Sequence, residues 1–208
     1  MIRQTLSKGE ATQRVILDAG IQLAREIGVT GLTIGALADR VQMSKSGLFA
    51  HFGSKEELQL AVIKAAQERF VEQVVRPAFA EPRGLARIRA LLKGWVGWGA
   101  DVEASGGCLI LAAAAEFDDR PGIVHDHLVR EQKSWFASLA RATEIAIETG
   151  ELSPEVDTSQ FAFELFGLVL SAHHHARLLG DASACNRALA GLERLIDACS
   201  VKSHPDRP

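Results

Sequence analysis

The chain of 208 residues contains no run of 18 apolar residues, the length a helix needs to cross a bilayer, so no membrane span is expected. Its first stretch, MIRQTLSKGEATQR, lacks the apolar segment of a secretion signal. Only three cysteines occur, Cys108, Cys185 and Cys199, and none stands in a CxxC pair. That pattern makes neither a disulfide framework nor a zinc site, and a reducing, cytoplasmic setting follows as the default. The GxSxG, HExxH and phosphate-loop patterns are missing, and no nucleophile stands at a working distance from a base. Glu116, Glu164 and His173 to His175 are acid–base material with no pattern to organise them, so an enzyme is not expected and no cofactor is implied. Three consecutive helical residues point about 100° apart, so His173, His174 and His175 cannot converge on one metal ion. Strand-like alternation is almost absent, and there is no internal repeat.

The net charge of −3 is unusual for a nucleic-acid binder until the chain is divided. Residues 1–55 carry seven Lys/Arg against four acids, and the remaining 153 residues carry 16 against 22. Affinity for phosphate depends on a local basic face, so the asymmetry favours one end meeting DNA while the rest stays away from it.

That basic end contains the most specific segment, LTIGALADRVQMSKSGLFAHFGSKEEL, from Leu32 to Leu58. Thr33 is a good N-cap before a short helix with Ile34, Leu37, Ala38 and Val41 on its apolar side. Ser44 is a second N-cap, opening a helix whose inward residues are Leu48 and Phe52. Ser54, with Glu57 three residues on, forms a capping box for a third. Three caps so close together predict three short, separately aimed helices, the layout of a helix-turn-helix.

Over about residues 10–62 the chain resembles the DNA-binding domain of the TetR family of bacterial transcriptional regulators. The residues that carry the resemblance are Ile16-Leu17-Asp18-Ala19, Gly31-Leu32-Thr33, Leu37-Ala38, Met43-Ser44-Lys45-Ser46-Gly47-Leu48-Phe49-Ala50-His51-Phe52 and Ser54-Lys55-Glu56-Glu57-Leu58. Two departures stand out. Ser46-Gly47 replaces the commoner Gly-Thr, and Phe49 replaces the commoner Tyr, so it has no hydroxyl to give a phosphate. The resemblance implies an all-α protein with a helix-turn-helix DNA-binding domain at residues 1–55. A helical ligand-binding and dimerisation domain would occupy residues 56–208. It further implies a homodimer that reads an inverted-repeat operator in double-stranded DNA. A small-molecule or electrophile effector would release that repressor by preferring the state with the reading heads apart. The expected DNA contacts are Thr33, Ser44, Lys45, Ser46, Gly47, Phe49, His51 and Lys55, with Lys45 reaching either guanine or phosphate. For Thr33 and Ser44 capping alone is the competing role, and His51 can equally pack between helices. A basic arm at Arg3 and Lys8 is the counterpart of a simple tail. A ligand-free architectural DNA binder is the rival, but it has no use for some 150 residues of separate acidic helical chain.

The rest of the chain reads as helices. The first spans about Lys8–Ile27, with Val15, Ile16, Ala19, Leu23 and Ile27 inward. The fourth runs about Ser54–Ala80, with Pro77 ending or kinking it. Further helices cover about Leu85–Val102, Cys108–Phe117 and Pro121–Thr149. Another starts from an Asp157–Gln160 capping box and runs to Leu179, and the last covers Ala184–Ser200, before a tail to Pro208. The helix after Asp157 is apolar on two sides, with Phe161, Leu165, Leu168 and Ala172 on one and Phe163, Phe166, Leu170 and His173 on the other. In TetR-like proteins the last two helices pair with their symmetry mates. The candidate dimer interface is therefore Phe161, Leu165, Leu168 and Ala172 with Leu189, Leu192, Leu195 and Ile196. A central helix of a monomer would carry the same pattern.

Candidate ligand-binding residues are Trp95, Trp98, Cys108, Phe117, Trp135, Phe166 and His173. Ordinary core packing explains each aromatic singly. Cys108 opens a helix after Gly106-Gly107, where the helix dipole favours thiolate, although a small buried cysteine is the commoner reading.

Overall fold

The computed structural model describes residues 8–100 and 107–201. The arm at Arg3, the side chain of Lys8, Val102, the Ser105-Gly106 break and the tail beyond Val201 lie outside the described residues. The elements are α1 (Lys8–Ile27), α2 (Ile34–Val41), α3 (Lys45–Phe52), α4 (Lys55–Phe70), a π-helical turn (Val71–Val75) and α5 (Arg76–Ala80). They continue with α6 (Leu85–Ala100), α7 (Leu109–Phe117), α8 (Ile123–Glu148), α9 (Thr158–Arg177) and α10 (Ala184–Cys199). The fold is all-α, and an isolated bridge between Leu152 and Ser200 is the only β pairing among the described residues.

Packing divides the chain into two compact units. One gathers α1 to α4, through Arg69, with α7 and the start of α8 through Leu128. The other runs from Phe70 through α6 and takes in the rest of α8, α9 and α10. The expected division at residue 55 separates the short helices from everything after them, whereas packing groups α4 and α7 with those helices.

The first unit closes over Ile16, Ile21, Leu37, Leu48, Leu58, Val62 and Val124. Gly20 sets the inward face of α1, because a Cβ there would lie 2.7 Å from Val62 Cγ2. The buried row is consequently Ile16, Gly20, Leu23 and Ala24, with Ile21 beside it. Val15 and Ile27, expected inward, are instead 64% and 46% exposed, because the row through Gly20 turns them outward.

In the second unit α9 packs on both α6 and α10, and its Phe161, Leu165, Val169 and Ala172 are buried. Gly191 of α10 admits Leu168, whose Cδ2 would stand 2.6 Å from a Cβ there. Asp157 caps α9 by accepting the N–H groups of Ser159 and Gln160 at 2.9 and 3.1 Å. The Gln160 amide turns to Glu164 (2.8 Å) instead of returning to the cap. The expected long helix to Ala80 stays helical but takes a π turn before Pro77. Proline has no N–H for the carbonyl four residues back, and the N–H of Arg76 reaches the Val71 carbonyl five residues away, a π-type bond.

Candidate nucleic-acid interface

Each short helix of the first unit begins on the cap that its sequence predicts. Thr33 is extended (φ −131°, ψ 158°), and its hydroxyl accepts the Ala36 N–H at 3.1 Å. Chain reversal after α2 uses Gln42 in the left-handed region (φ 54°), and the Met43 N–H returns to the Ala38 carbonyl at 3.0 Å. Ser44 then accepts the Gly47 N–H at 3.1 Å and starts α3. Ser54 accepts the Glu57 N–H at 3.1 Å and starts α4. The N–H of Ser54 goes to the Phe52 carbonyl (2.8 Å), so Glu57 does not complete the capping box.

α3 buries Leu48 and Phe52 and turns Lys45, Ser46, Phe49 and His51 to the surface. Phe49 is 55% exposed, which gives its ring no role in the core. The His51 ring lies 6.3 Å from that of Phe52 but stays on the surface, so it is not the inter-helix filler that sequence left open. Gly47 is tight for a reason sequence did not show, since a Cβ would sit 3.0 Å from the capping Ser44 Oγ. Lys55 is exposed at the first position of α4.

Gly35, which sequence reasoning passed over, completes the surface. A Cβ on it would lie 3.5 Å from Lys45 Cε, 3.7 Å from Nζ and 4.0 Å from Thr33 Oγ1. Bare backbone at Gly35 thus lies beside a cation and a hydroxyl at the N-terminal turn of α2. Free N–H groups and the positive end of the helix dipole also gather there, which suits a phosphate. Two other cations are already neutralised, Arg40 by Glu26 and Arg69 by Asp18. Lys45 and Lys55 form no ion pair among the described residues.

The family follows from comparison with known proteins. A family model described as bacterial regulatory proteins of the tetR family matches residues 16–62, the segment just described. A second, described as the tetracyclin repressor-like C-terminal domain, matches residues 84–192, more than half of the chain. The chain belongs to the TetR family. It is a DNA-binding transcriptional regulator, and proteins of this family are not enzymes. The HTH-type transcriptional regulator TcmR of Streptomyces glaucescens is 26% identical over 182 residues, which cover 85% of this chain and 79% of that protein. A TetR transcriptional regulator from Chloroflexus aurantiacus superposes with a TM-score of 0.84 at 25% identity, covering 94% of this chain and 98% of its own. AibR, solved with isovaleryl coenzyme A and operator DNA, shares the fold with a TM-score of 0.67 at 22% identity, covering 89% and 94% of the two chains.

The residues expected to hold an effector fall into two groups. Cys108 and Phe117 belong to the first unit. Cys108 is the N-cap of α7 but only 1% exposed, and its thiol makes no capping hydrogen bond. Phe117 is buried in the core of that unit. Trp95, Trp98, Trp135 and Phe166 lie in the second TetR unit and pack tilted or edge-on with one another and with Phe70 and Phe136 at ring separations of 4.8 to 5.7 Å. The Trp98 indole N–H donates to Gln73 Oε1 at 3.1 Å. Trp135 Nε1 and His173 Nδ1 are buried without a hydrogen-bond partner among the described residues. Burial, reinforced by Arg177 and His174, pushes the His173 imidazolium toward the neutral form. An apolar cleft of about 440 Å³, lined by Phe79, Ile88, Leu91, Ala137 and Ile145 and flanked by Arg87 and Arg141, was not anticipated from sequence.

Of the stripe assigned to dimerisation, Phe161, Leu165, Ala172, Leu192 and Ile196 are each 5% exposed or less within the single chain. They are covered by the chain's own α6, α9 and α10, whereas Leu168, Leu189 and Leu195 are partly exposed. The apolar side chains that α9 leaves in the open are Phe163, 66% exposed, and Leu170, 45% exposed. Among the described residues no group of three or more His, Cys, Asp or Glu is placed to hold a metal, and no helix is long and apolar enough to cross a membrane.

Proposed function

We propose that this TetR-family chain is a homodimeric repressor that binds an inverted-repeat operator and releases it when a small molecule binds its second unit. The observation that carries this reading is the surface at the start of α3. There Lys45 and Ser46 are exposed, and Lys45 and the Thr33 hydroxyl flank the bare backbone of Gly35. In the proposed complex α3 enters the major groove, with Lys45, Ser46 and Gly47 nearest the bases. Thr33, Ser44, Phe49, His51 and Lys55 follow the backbone on either side. One such head reads few bases, and a two-fold pair doubles the contact. Phe163 and Leu170 supply the exposed apolar stripe on which a second copy would close.

For the effector, a buried indole N–H without an acceptor and a half-buried imidazole held toward its neutral form favour a largely apolar compound with at least one hydrogen-bond acceptor. AibR, whose structure was solved in complex with both an acyl-coenzyme A and operator DNA, supports effector control in this fold. The burial of Cys108 argues for reversible binding over attack on an electrophile.

A reporter gene whose promoter overlaps an operator recovered from random duplexes tests the reading. Expression of this chain should lower transcription, and the effector should restore it. Raised transcription, or repression that survives a Phe163→Arg variant shown to be monomeric, contradicts it.

A further inference from the structure

The turn between α1 and α2 is gripped by two other helices. Glu116, near the end of α7 and 87 residues further along the chain, accepts the Val29 N–H through Oε1 at 3.0 Å. Its Oε2 accepts the Thr30 N–H at 2.7 Å. From α4, the buried Gln59 donates its side-chain N–H to the Val29 carbonyl at 2.7 Å. Both backbone groups of Val29 are therefore held by side chains from α7 and α4, outside the turn itself. Gly28 makes the fit possible. It is left-handed (φ +78°), and a Cβ on it would lie 3.1 Å from each carboxylate oxygen of Glu116.

Helix electrostatics do not explain a carboxylate here. It lies next to the negative ends of both α1 and α7, where a cation would be favoured. Val29 is fully buried and Thr30 partly so, and the Val29 N–H therefore needs an acceptor from within the protein, which any single carbonyl could supply. What a carboxylate from a distant helix adds is position, because its two oxygens fix the turn in two directions at once. Three residues beyond Thr30 stands Thr33, the cap on which the start of α2 depends.

We propose that Glu116 is a positioning residue for DNA recognition. Its carboxylate ties the α1–α2 turn to α7, as Gln59 ties it to α4, and so sets where the start of α2 and the head of α3 are offered to DNA. The inference rests on the DNA-reading role of α2 and α3. It adds that movement of α7 or α4 reaches the reading head through Val29 and Thr30. Glu116 is not among the apolar side chains of the core under the head, so removing its carboxylate leaves the packing of Leu37, Leu48 and Leu58 in place.

Full-length Glu116→Gln and Glu116→Met test this by two readouts. Amide exchange at Val29 and Thr30 reports the clamp, and affinity for the selected operator, measured well below each variant's melting temperature, reports its consequence. Glutamine keeps one acceptor oxygen, so we expect one amide to lose protection by roughly tenfold, and both to lose it with methionine. Operator affinity should fall in the order wild type, Gln, Met, by about tenfold overall, while the amides of Leu48 and Leu58 stay protected. Unchanged exchange at Val29 and Thr30 overturns the clamp. Lost protection with undiminished operator affinity overturns its positioning role and leaves Glu116 a stabilising contact only. If the wild type binds no operator, the DNA reading fails, and the exchange readout still decides the clamp.

Discussion

Lys45 carries the sharpest expectation at the scale of single residues. It makes no ion pair among the described residues and stands at the first position of α3, so its charge is available to DNA. Lys45→Ala should weaken operator binding by at least tenfold while sedimentation shows an unchanged assembly. If the contact is to phosphate, the salt dependence of log Kd should flatten by about one charge, and all sequences should suffer alike; a base contact would instead relax specificity at one position. His173 gives a pH test. Its folded pKa is lowered, chiefly by burial, so below its ordinary value of 6.5 the unfolded chain takes up the proton first and stability drops with pH. His173→Gln should remove that component, seen as a melting temperature that changes less between about pH 7 and pH 5 than in the wild type. Gly20→Ala places a methyl 2.7 Å from Val62 Cγ2 and should cost about 1–3 kcal/mol in thermal or denaturant unfolding. Local chemistry made Thr33, Ser44 and Ser54 readable from sequence, because a cap and the N–H it serves are three residues apart. Gly35, Gly20 and Glu116 were not readable, since their partners come from other helices, in Glu116's case 87 residues away.

Among the elements, α9 shows where a sequence pattern stops being informative. Two apolar faces were legible, and so was the demand that both be covered. Which face the chain covers itself depends on α6 and α10 arriving from far along the sequence, and they take Phe161, Leu165 and Ala172. The same limit turned Val15 and Ile27 of α1 outward, because periodicity locates a stripe only to within a neighbouring row, and the close approach at Gly20 chooses among them. Pro77 neither ends the helix nor interrupts its αR backbone, which stays helical to Ala80, and missing-N–H chemistry alone does not say that a π turn will absorb the lost bond. The cap at Asp157 is purely local, and Asp157→Ala should lower stability by about 1 kcal/mol, measured by denaturant unfolding, without touching DNA affinity.

For the whole molecule, family and fold were legible from a few dozen residues with fixed spacing, whereas which apolar face of α9 stays open was not. Phe163 and Leu170 are exposed in the single chain, so charges there should leave the fold intact. Phe163→Arg with Leu170→Glu should sediment as a folded monomer, and loss of operator binding should follow because each copy then reads only one half-site. A double variant that remains dimeric would place the pairing surface elsewhere. The central claim, that α3 of paired copies reads DNA sequence, is tested most directly by selecting random duplexes with the purified protein at moderate salt, where sequence-blind phosphate binding is suppressed. The account predicts enrichment of an inverted repeat by the wild type and none by Lys45→Ala. An unenriched pool from a folded, dimeric wild type, or equal enrichment by both proteins, would contradict it.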